Sequence, residues 1–153
     1  MHSIRLATPE DTALITQHRI QMFQDNGFTP ACTWEEMAKE FAAWLEPRLR
    51  DDSYVGWIVE DSGQPIASGG LWLMDFPPHW TSPVPKRGYL LNFYTVPAAR
   101  GRGIAKELVE LAKKESVRRG VKTVTLHASK FGRPVYEKLG FTANNEMIYR
   151  EKM

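Results

Sequence analysis

The feature that most constrains the fold of this chain is a glycine-containing turn between two segments of different hydrophobic periodicity. The turn opens the segment "RGRGIAKELVELAKKE" (100–115), which follows the largely apolar run "YLLNFYTV" (89–96) and Pro97. Such an apolar run is typical of a central β-strand, and the apolar spacing after the turn predicts an amphipathic helix. A strand, a turn and a helix in this order place Gly101 and Gly103 at a helix N-terminus.

The start of this helix suits a phosphate group. The first turn of any helix has unpaired N–H groups, and the helix macrodipole adds partial positive charge there. Gly101 and Gly103 allow close approach of a ligand, while Arg100, Arg102 and Lys106 add positive charge. The turn is neither a P-loop, which ends in Gly-Lys-Ser/Thr, nor a dinucleotide fingerprint, because residue 106 is lysine where a third glycine is needed.

Shorter patterns predict the other elements of the chain. Capping residues and apolar stripes predict helices over about 9–24, 33–50 and 104–119, and a short helix within "RPVYEKLGF" (133–141). Strands are predicted in "HSIRLA", "SYVGWIVE", "QPIASGGLWLM", "YLLNFYTV", "VKTVTLH" and "EMIYREK". A proline-rich loop separates the third of these strands from the fourth. Because strand and helix alternate only partly, we expect a mixed sheet flanked by helices.

Composition and charge limit the classes of function. The chain has 153 residues, which fits one domain over 1–153. Its 20 basic and 18 acidic residues leave a formal charge of +2, so bulk charge does not predict a nucleic-acid partner. The single cysteine, Cys32, rules out an internal disulfide and a multi-cysteine metal site. Without a long apolar run or a signal-peptide pattern, we expect a cytoplasmic protein and no membrane partner.

Three segments together resemble the GNAT superfamily of N-acetyltransferases. Arg100, Gly103 and Ala105 fit the Arg-x-x-Gly-x-Ala spacing of the loop that binds the pyrophosphate of acyl-coenzyme A in that family. "IRLATPEDTALI" resembles its first strand and helix start, "YLLNFYTVPAARGRGIAKELVELAKK" its central strand and cofactor helix, and "RPVYEKLGF" its closing tyrosine helix. The resemblance implies an α/β (mixed α+β) fold, with a twisted mixed sheet of six to seven strands flanked by about four helices.

The resemblance also implies which residues bind acetyl-coenzyme A (acetyl-CoA), the expected co-substrate. Backbone groups of Phe93, Tyr94 and Thr95 would contact the pantetheine arm, and an N–H on this strand would polarise the thioester carbonyl. Ser129 stands seven residues before Tyr136, where relatives often have an asparagine that bonds the same arm. The pyrophosphate would lie on the turn residues Arg100, Gly101, Arg102, Gly103, Ile104, Ala105 and Lys106.

Tyr136 and His127 are the expected catalytic residues. Tyr136 matches the family tyrosine, whose phenol gives a proton to the leaving thiolate. The acceptor amine must lose a proton to attack, yet neither "YLLNFYTV" nor "VKTVTLH" contains Asp or Glu. Histidine titrates nearest to neutral pH, and His127 ends its strand beside the expected cleft. Alternative routes for this proton are Asp75, His79, a water relayed by Asn92 or Tyr94, and bulk solvent.

By this resemblance, the expected reaction is acetyl transfer to a primary amine of a small molecule or a peptide, by direct attack in a ternary complex. Nothing marks Cys32 as a nucleophile, which argues against an acyl-cysteine intermediate. A non-catalytic coenzyme A sensor or interaction module is an alternative, because the strand carboxylate is missing. Nucleic-acid binding is a third hypothesis, which the near-neutral charge opposes. Family resemblance alone makes homodimerisation, through the sheet edge or the last strand, an expectation.

Overall fold

The computed structural model describes residues 1–151 of the chain. Their helices and strands are, in chain order, β1 (His2–Leu6), α1 (Thr12–Asp25), α2 (Trp34–Arg50), β2 (Tyr54–Asp61), β3 (Gln64–Asp75), β4 (Lys86–Thr95), α3 (Ile104–Arg118), β5 (Val124–Leu126) and α4 (Arg133–Lys138). Short 3-10 turns at Pro9–Asp11 and Pro97–Ala99 precede α1 and the glycine turn. No helix within this range is both long and apolar enough to cross a bilayer.

The five strands form one mixed sheet in the order β1-β2-β3-β4-β5. The first three pairs are antiparallel, and β4 pairs with β5 in parallel. This last pairing joins only Gly88–Leu90 to Val124–Leu126, although β4 continues to Thr95. From Leu91 onward, this edge of β4 therefore has no strand beside it within residues 1–151, and the sheet opens there.

Helices cover both faces of the sheet, as the sequence predicts. On one face, α1 and α2 bury Ile15, Leu45 and Leu49 against the β2 side chains of Tyr54 and Ile58. On the other face, α3 packs on the sheet through a stripe of four buried apolar residues, which recur about once per helical turn. These residues are Ile104, Leu108, Val109 and Ala112.

Two strand predictions differ from the structure. The sheet has five strands rather than six to seven, because Glu146–Glu151 pairs with no strand and exposes Met147, Ile148 and Tyr149. Lys152, the last residue of the predicted "EMIYREK" strand, lies outside the described residues. A segment with an alternating pattern forms a strand only where another strand has a free edge to pair with. β5, the last strand in the order of the sheet, is only three residues long and therefore offers a short edge.

The predicted strand over 121–127 is shortened to Val124–Leu126 by the end of α3. Gly120 takes a left-handed conformation, with φ of 80°. The Val121 N–H then donates to the Ser116 carbonyl at 2.9 Å, and the Ser116 hydroxyl donates to the Val121 carbonyl at 2.6 Å. Because both backbone groups of Val121 bond back to α3, this residue is not available to pair with β4.

An ion pair fixes the chain between β1 and α1. The Asp11 carboxylate accepts two hydrogen bonds from the Arg5 guanidinium, at 2.8 and 2.9 Å, and one from the Thr8 N–H at 2.8 Å. Asp11 is buried, whereas Arg5 is partly exposed. The hydrogen bonds from Arg5 hold the pKa of the Asp11 carboxyl below its usual value. The charged form is therefore favoured in the folded state.

Asp11→Asn should lower the free energy of unfolding at pH 7 by about 1–3 kcal/mol, because it removes charged hydrogen bonds at a buried position. Since the folded-state pKa of Asp11 is depressed, its contribution is present above the unfolded pKa of about 3.9 and is lost as the pH falls through the folded value. Urea unfolding at pH 7 and at lower pH should show the difference between the two proteins shrinking in acid.

Glu46→Gln is the matched control for this prediction. It removes a carboxylate from the exposed Arg50–Glu46 pair on α2. Exposed helical pairs contribute about 0.3–0.5 kcal/mol. An Asp11→Asn cost no larger than that of the control would contradict the role given to Asp11.

Candidate functional site

A cavity of about 310 Å³ occupies the opening of the sheet beside β4. Its walls come from α1, from β4 itself, from the start of α3, and from the segment that joins β5 to α4. Seven of the predicted site residues line this cavity: Phe93, Tyr94, Thr95, Ala105, His127, Ser129 and Tyr136. The structure thus brings together residues that are up to 43 positions apart in the chain, from Phe93 to Tyr136.

A bulge in β4 shapes the floor of the cavity. Asn92 has a φ of 63°, in the left-handed region that few residues other than glycine adopt. The pairing with β3 shifts here, because Leu91 lies opposite Gly70 while Tyr94 lies opposite Ser68. Asn92 and Phe93 together therefore face Gly69, which is the geometry of a β-bulge.

Gly69 is needed for this bulge because the Phe93 ring lies against it. A β-carbon on Gly69 would come within 2.6 Å of the Phe93 ring, a distance that such contacts do not reach. The next glycine, Gly70, accommodates Tyr54 in the same way, with a β-carbon 2.0 Å from the phenol oxygen. The two glycines thus place one aromatic side chain on each face of the sheet.

Buried hydrogen bonds hold the Asn92 side chain. Its Nδ2 donates to the Tyr54 hydroxyl at 3.0 Å, and its Oδ1 accepts from Arg19 Nη1 at 2.7 Å. Asn92 and Tyr54 are both almost fully buried, and burial raises the pKa of the Tyr54 phenol to about 12. The Asn92 side chain therefore faces α1 and the protein interior, where it links β2, β4 and α1.

The glycine turn has the open geometry that a phosphate requires. Gly101 and Gly103 have φ values of 83° and 77°, and a β-carbon on either would meet nothing within 4 Å. Within residues 1–151, the N–H groups of 101–106 have no hydrogen-bond acceptor. Ile104 is buried in the core and anchors the turn, whereas the rest of 101–106 is exposed.

The three charged residues of the turn differ in their surroundings. Arg100 bonds the Thr95 carbonyl at 2.9 Å and the Asp25 carboxylate at 3.0 Å. Arg102 bonds Asp61 at 3.1 Å, and Lys106 lines a separate surface depression beside Ile4. Thus Arg100 joins the turn to β4 and α1, and both arginines already have carboxylate partners that a bound anion would compete with.

Tyr136 enters the cavity from α4. Its ring packs against Phe141 with the centroids 5.7 Å apart, and burial raises the pKa of its phenol. A raised pKa means that the group keeps its proton at neutral pH. Ser129, at the foot of the same wall, accepts a hydrogen bond from the Gly132 N–H at 3.0 Å, which leaves its hydroxyl proton available to a ligand.

His127 pairs with a residue that the sequence reading did not select. Its Nδ1 is hydrogen-bonded to the hydroxyl of Tyr89, which also lines the cavity. Burial raises the pKa of the Tyr89 phenol, so this hydroxyl is neutral at physiological pH. His79, one of the alternatives for the base, is bonded to Thr81 Oγ1 at 2.7 Å in the loop after β3.

Arg19, Tyr89 and the folded position of Asn92 are the features of the candidate site that sequence reasoning missed. Arg19 lies within a helix whose composition gives no motif, and its partner is 73 residues away. Tyr89 appeared only as one apolar residue of the central strand. The left-handed conformation of Asn92 could have been suspected from the sequence, since asparagine is among the residues other than glycine that most often take left-handed angles.

Comparison with known proteins identifies the family. A family model described as the acetyltransferase (GNAT) family matches residues 18–141. An uncharacterized N-acetyltransferase of Bacillus subtilis (strain 168), YhfO, is 31% identical over 111 residues, which cover 70% of this chain and 71% of the relative. The chain belongs to the GNAT family of acetyltransferases.

Solved structures agree with this assignment. A GCN5-related N-acetyltransferase from Ralstonia eutropha JMP134 has a TM-score of 0.92 at 38% identity, over 99% of both chains. A predicted acetyltransferase from Clostridium acetobutylicum, crystallised with acetyl-CoA, has a TM-score of 0.91 at 33% identity, over 99% of this chain and 96% of that one. The expected mixed α/β class is confirmed, and the chain is an N-acetyltransferase whose co-substrate is acetyl-CoA.

Tyr54→Phe tests the hydrogen bonds beneath the cavity. It leaves the buried Asn92 amide without an acceptor, so the free energy of unfolding should fall by about 1–3 kcal/mol. Urea denaturation checks this value. Tyr149→Phe is the matched control, because the Tyr149 side chain is exposed and its loss of a hydroxyl should cost less than about 0.5 kcal/mol. Equal costs for the two variants would show that the Asn92 network does not contribute to stability.

Proposed function

We propose that this enzyme transfers the acetyl group of acetyl-CoA to a primary amine by direct attack in a ternary complex. One observation carries the proposal: the open glycine turn is continuous with the cavity through Ala105 and through the bond from Arg100 to Thr95. A co-substrate whose pyrophosphate lies on the turn would thus have its arm directed along the unpaired edge of β4. Its thioester would then lie near Tyr136.

Each part of the co-substrate has a matching set of groups in this proposal. The N–H groups of 101–106 and the positive end of α3 hold the pyrophosphate. The backbone of 93–95 and the Ser129 hydroxyl bond the pantetheine arm. Arg100 and Arg102 exchange their carboxylate partners for phosphate oxygens, an exchange that costs little because exposed ion pairs contribute little.

The chemistry needs one proton donor and one proton acceptor. The lone pair of the neutral amine attacks the thioester carbonyl carbon, the C–N bond forms, and the C–S bond breaks. Tyr136, whose partly buried phenol is protonated at neutral pH, gives its proton to the departing thiolate. His127 takes the proton from the amine nitrogen.

The bond between Tyr89 and His127 supports this role for the histidine. We assign the tautomer in which Nδ1–H donates to the Tyr89 oxygen, which leaves the lone pair of Nε2 available for the proton of the amine. Cys32 is exposed and is not among the residues that line the cavity. Direct attack therefore fits these residues better than an acyl-cysteine intermediate does.

Gly103→Ala should weaken acetyl-CoA binding at least tenfold, measured by titration calorimetry. The added methyl group would occupy the space assigned to the pyrophosphate, and the left-handed backbone would be strained by roughly 1–2 kcal/mol. Gly120→Ala is the matched control, because Gly120 ends the same helix with a φ of 80° and equally open space. An equal loss of affinity in both variants would refute the placement of the pyrophosphate.

Tyr136→Phe should lower kcat roughly 100-fold or more while leaving the Kd of acetyl-CoA within about twofold, because it removes only the donated proton. Thiol release with a panel of primary amines measures kcat, and Tyr149→Phe should behave as the wild type. An unchanged kcat would remove Tyr136 from the mechanism. Acetyl-CoA binding without turnover of any amine by the wild type would favour a sensor.

A further inference from the structure

An arginine without a carboxylate partner lines the same cavity as Tyr136 and His127. Arg19 lies on α1 with its side chain partly buried. Within residues 1–151, no Asp or Glu oxygen lies within 4 Å of its guanidinium. Both arginines of the glycine turn, in contrast, have such partners. Arg19 is therefore a fixed positive charge that this part of the protein does not neutralise.

The protein holds this guanidinium in one orientation. Its Nη1 donates to Asn92 Oδ1 at 2.7 Å, and its central carbon lies 4.7 Å from the Phe23 ring centroid and 4.6 Å from that of Phe41. Such stacking fixes the plane of the cation. A guanidinium fixed in this way is prepared for a ligand before the ligand arrives.

One edge of the guanidinium is left for a ligand. Within residues 1–151, Nε and Nη2 of Arg19 donate to no protein acceptor, and Nη1 carries the bond to Asn92. No side-chain nitrogen or oxygen in this range is both shut off from solvent and without a partner, so these two nitrogens face accessible space. Two neighbouring N–H donors in one plane match the two oxygens of a carboxylate.

The other walls of the cavity add no negative charge. Neither Asp nor Glu is among its lining residues, and Arg19 is the one permanently charged side chain among them. Burial lowers the pKa of the Arg19 guanidinium, which reflects the cost of keeping a cation there. A bound anion would offset that cost, whereas a ligand carrying additional cations would meet a like charge.

We propose that the acceptor is an amine that also carries a carboxylate, and that Arg19 binds this carboxylate through Nε and Nη2. The inference rests on the proposed acetyl transfer and names its acceptor class. A carboxylate fits better than a phosphate, because a doubly charged phosphate would leave one negative charge and further oxygens without donors at a single arginine edge. A polycationic amine fits less well, because neither Asp nor Glu is among the residues that line the cavity.

The position of Arg19 also fits the geometry of transfer. Arg19 approaches the cavity from α1, whereas the glycine turn and Tyr136 border it from α3 and α4. A carboxylate on Arg19 would therefore direct the amine of the same molecule across β4, toward the thioester.

Acid and amide pairs test the proposal on the wild-type enzyme. The probes are the protein amino acids and the straight-chain ω-amino acids up to 6-aminohexanoate, each compared with its own amide, together with spermidine as a polycation. We expect the preferred acceptor to be an acid, with kcat/KM roughly 10- to 150-fold above that of its amide, the range of a charged hydrogen bond. In 6-aminohexanoate the carboxylate is too distant to alter the basicity of the amine. A preference for this acid over its amide would therefore reflect recognition of the carboxylate.

Variants at Arg19 separate ligand binding from structural support. Arg19→Gln should abolish the preference for the acid over the amide, mainly by raising KM for the acid, and Arg19→Lys should restore part of it. Arg48→Gln is the matched control. Arg48 also stacks on an aromatic ring and has no carboxylate of residues 1–151 within 4 Å, but it does not line this cavity. It should keep the full preference.

Four results would overturn the inference. Three of them are equal turnover of acid and amide by the wild type, preference for spermidine or an amide, and a loss in Arg19→Gln that is the same for acid and amide. The last result would assign Arg19 only to supporting Asn92. Failure to turn over any carboxylate-bearing amine would overturn it as well. Calorimetry with acetyl-CoA tells the two failures apart. If acetyl-CoA does not bind, the proposed function fails; if it binds and amines are turned over with no preference for the acid, the inference alone fails.

Discussion

The separation of β4 from β5 after Leu90 is the constraint on which the rest of the site depends. Parallel pairing stops at Leu126, while β4 continues for five more residues along which no strand of residues 1–151 pairs with this edge. Unpaired backbone N–H and C=O groups are costly unless water or a ligand satisfies them. The left-handed backbone at Asn92 maintains the opening, because it turns the strand locally and is held by buried bonds to Tyr54 and Arg19. Two glycines of β3 make room for this arrangement.

Charge is distributed unequally around the opening. The exposed turn at the start of α3 carries unpaired N–H groups and two arginines with exchangeable partners, which suits a phosphate-bearing co-substrate. Among the residues that line the cavity beside it, Arg19 is the one permanently charged side chain. In our proposal, the two ends of the site therefore differ in chemistry: the turn would bind the co-substrate, and the cavity would select among amines. The Asn92 side chain would link the two, because it accepts a hydrogen bond from Arg19 and belongs to β4.

The sequence predicted those parts of the molecule that depend on local signals. Gly103 and the apolar spacing of α3 located the turn and its helix. The predicted start of α2 at residue 33 agrees with the structure, in which the Thr33 hydroxyl caps the helix by accepting from the Glu36 N–H at 3.0 Å. The last strand was predicted wrongly, because an alternating pattern does not reveal whether a partner edge exists. Arg19 could not have been selected from the sequence, since the proposal for it depends on which side chains of residues 1–151 the fold places around its guanidinium. The catalytic roles of Tyr136 and His127 stay predictions.

A crystal structure of the enzyme with acetyl-CoA tests the central claim most directly. The account predicts electron density for the pyrophosphate within hydrogen-bond distance of the N–H groups of 101–106, with the thioester beside the bulge of β4 and the Tyr136 hydroxyl near its sulfur. Density for the pyrophosphate away from the glycine turn, or for the thioester outside the opening between β4 and β5, would contradict it.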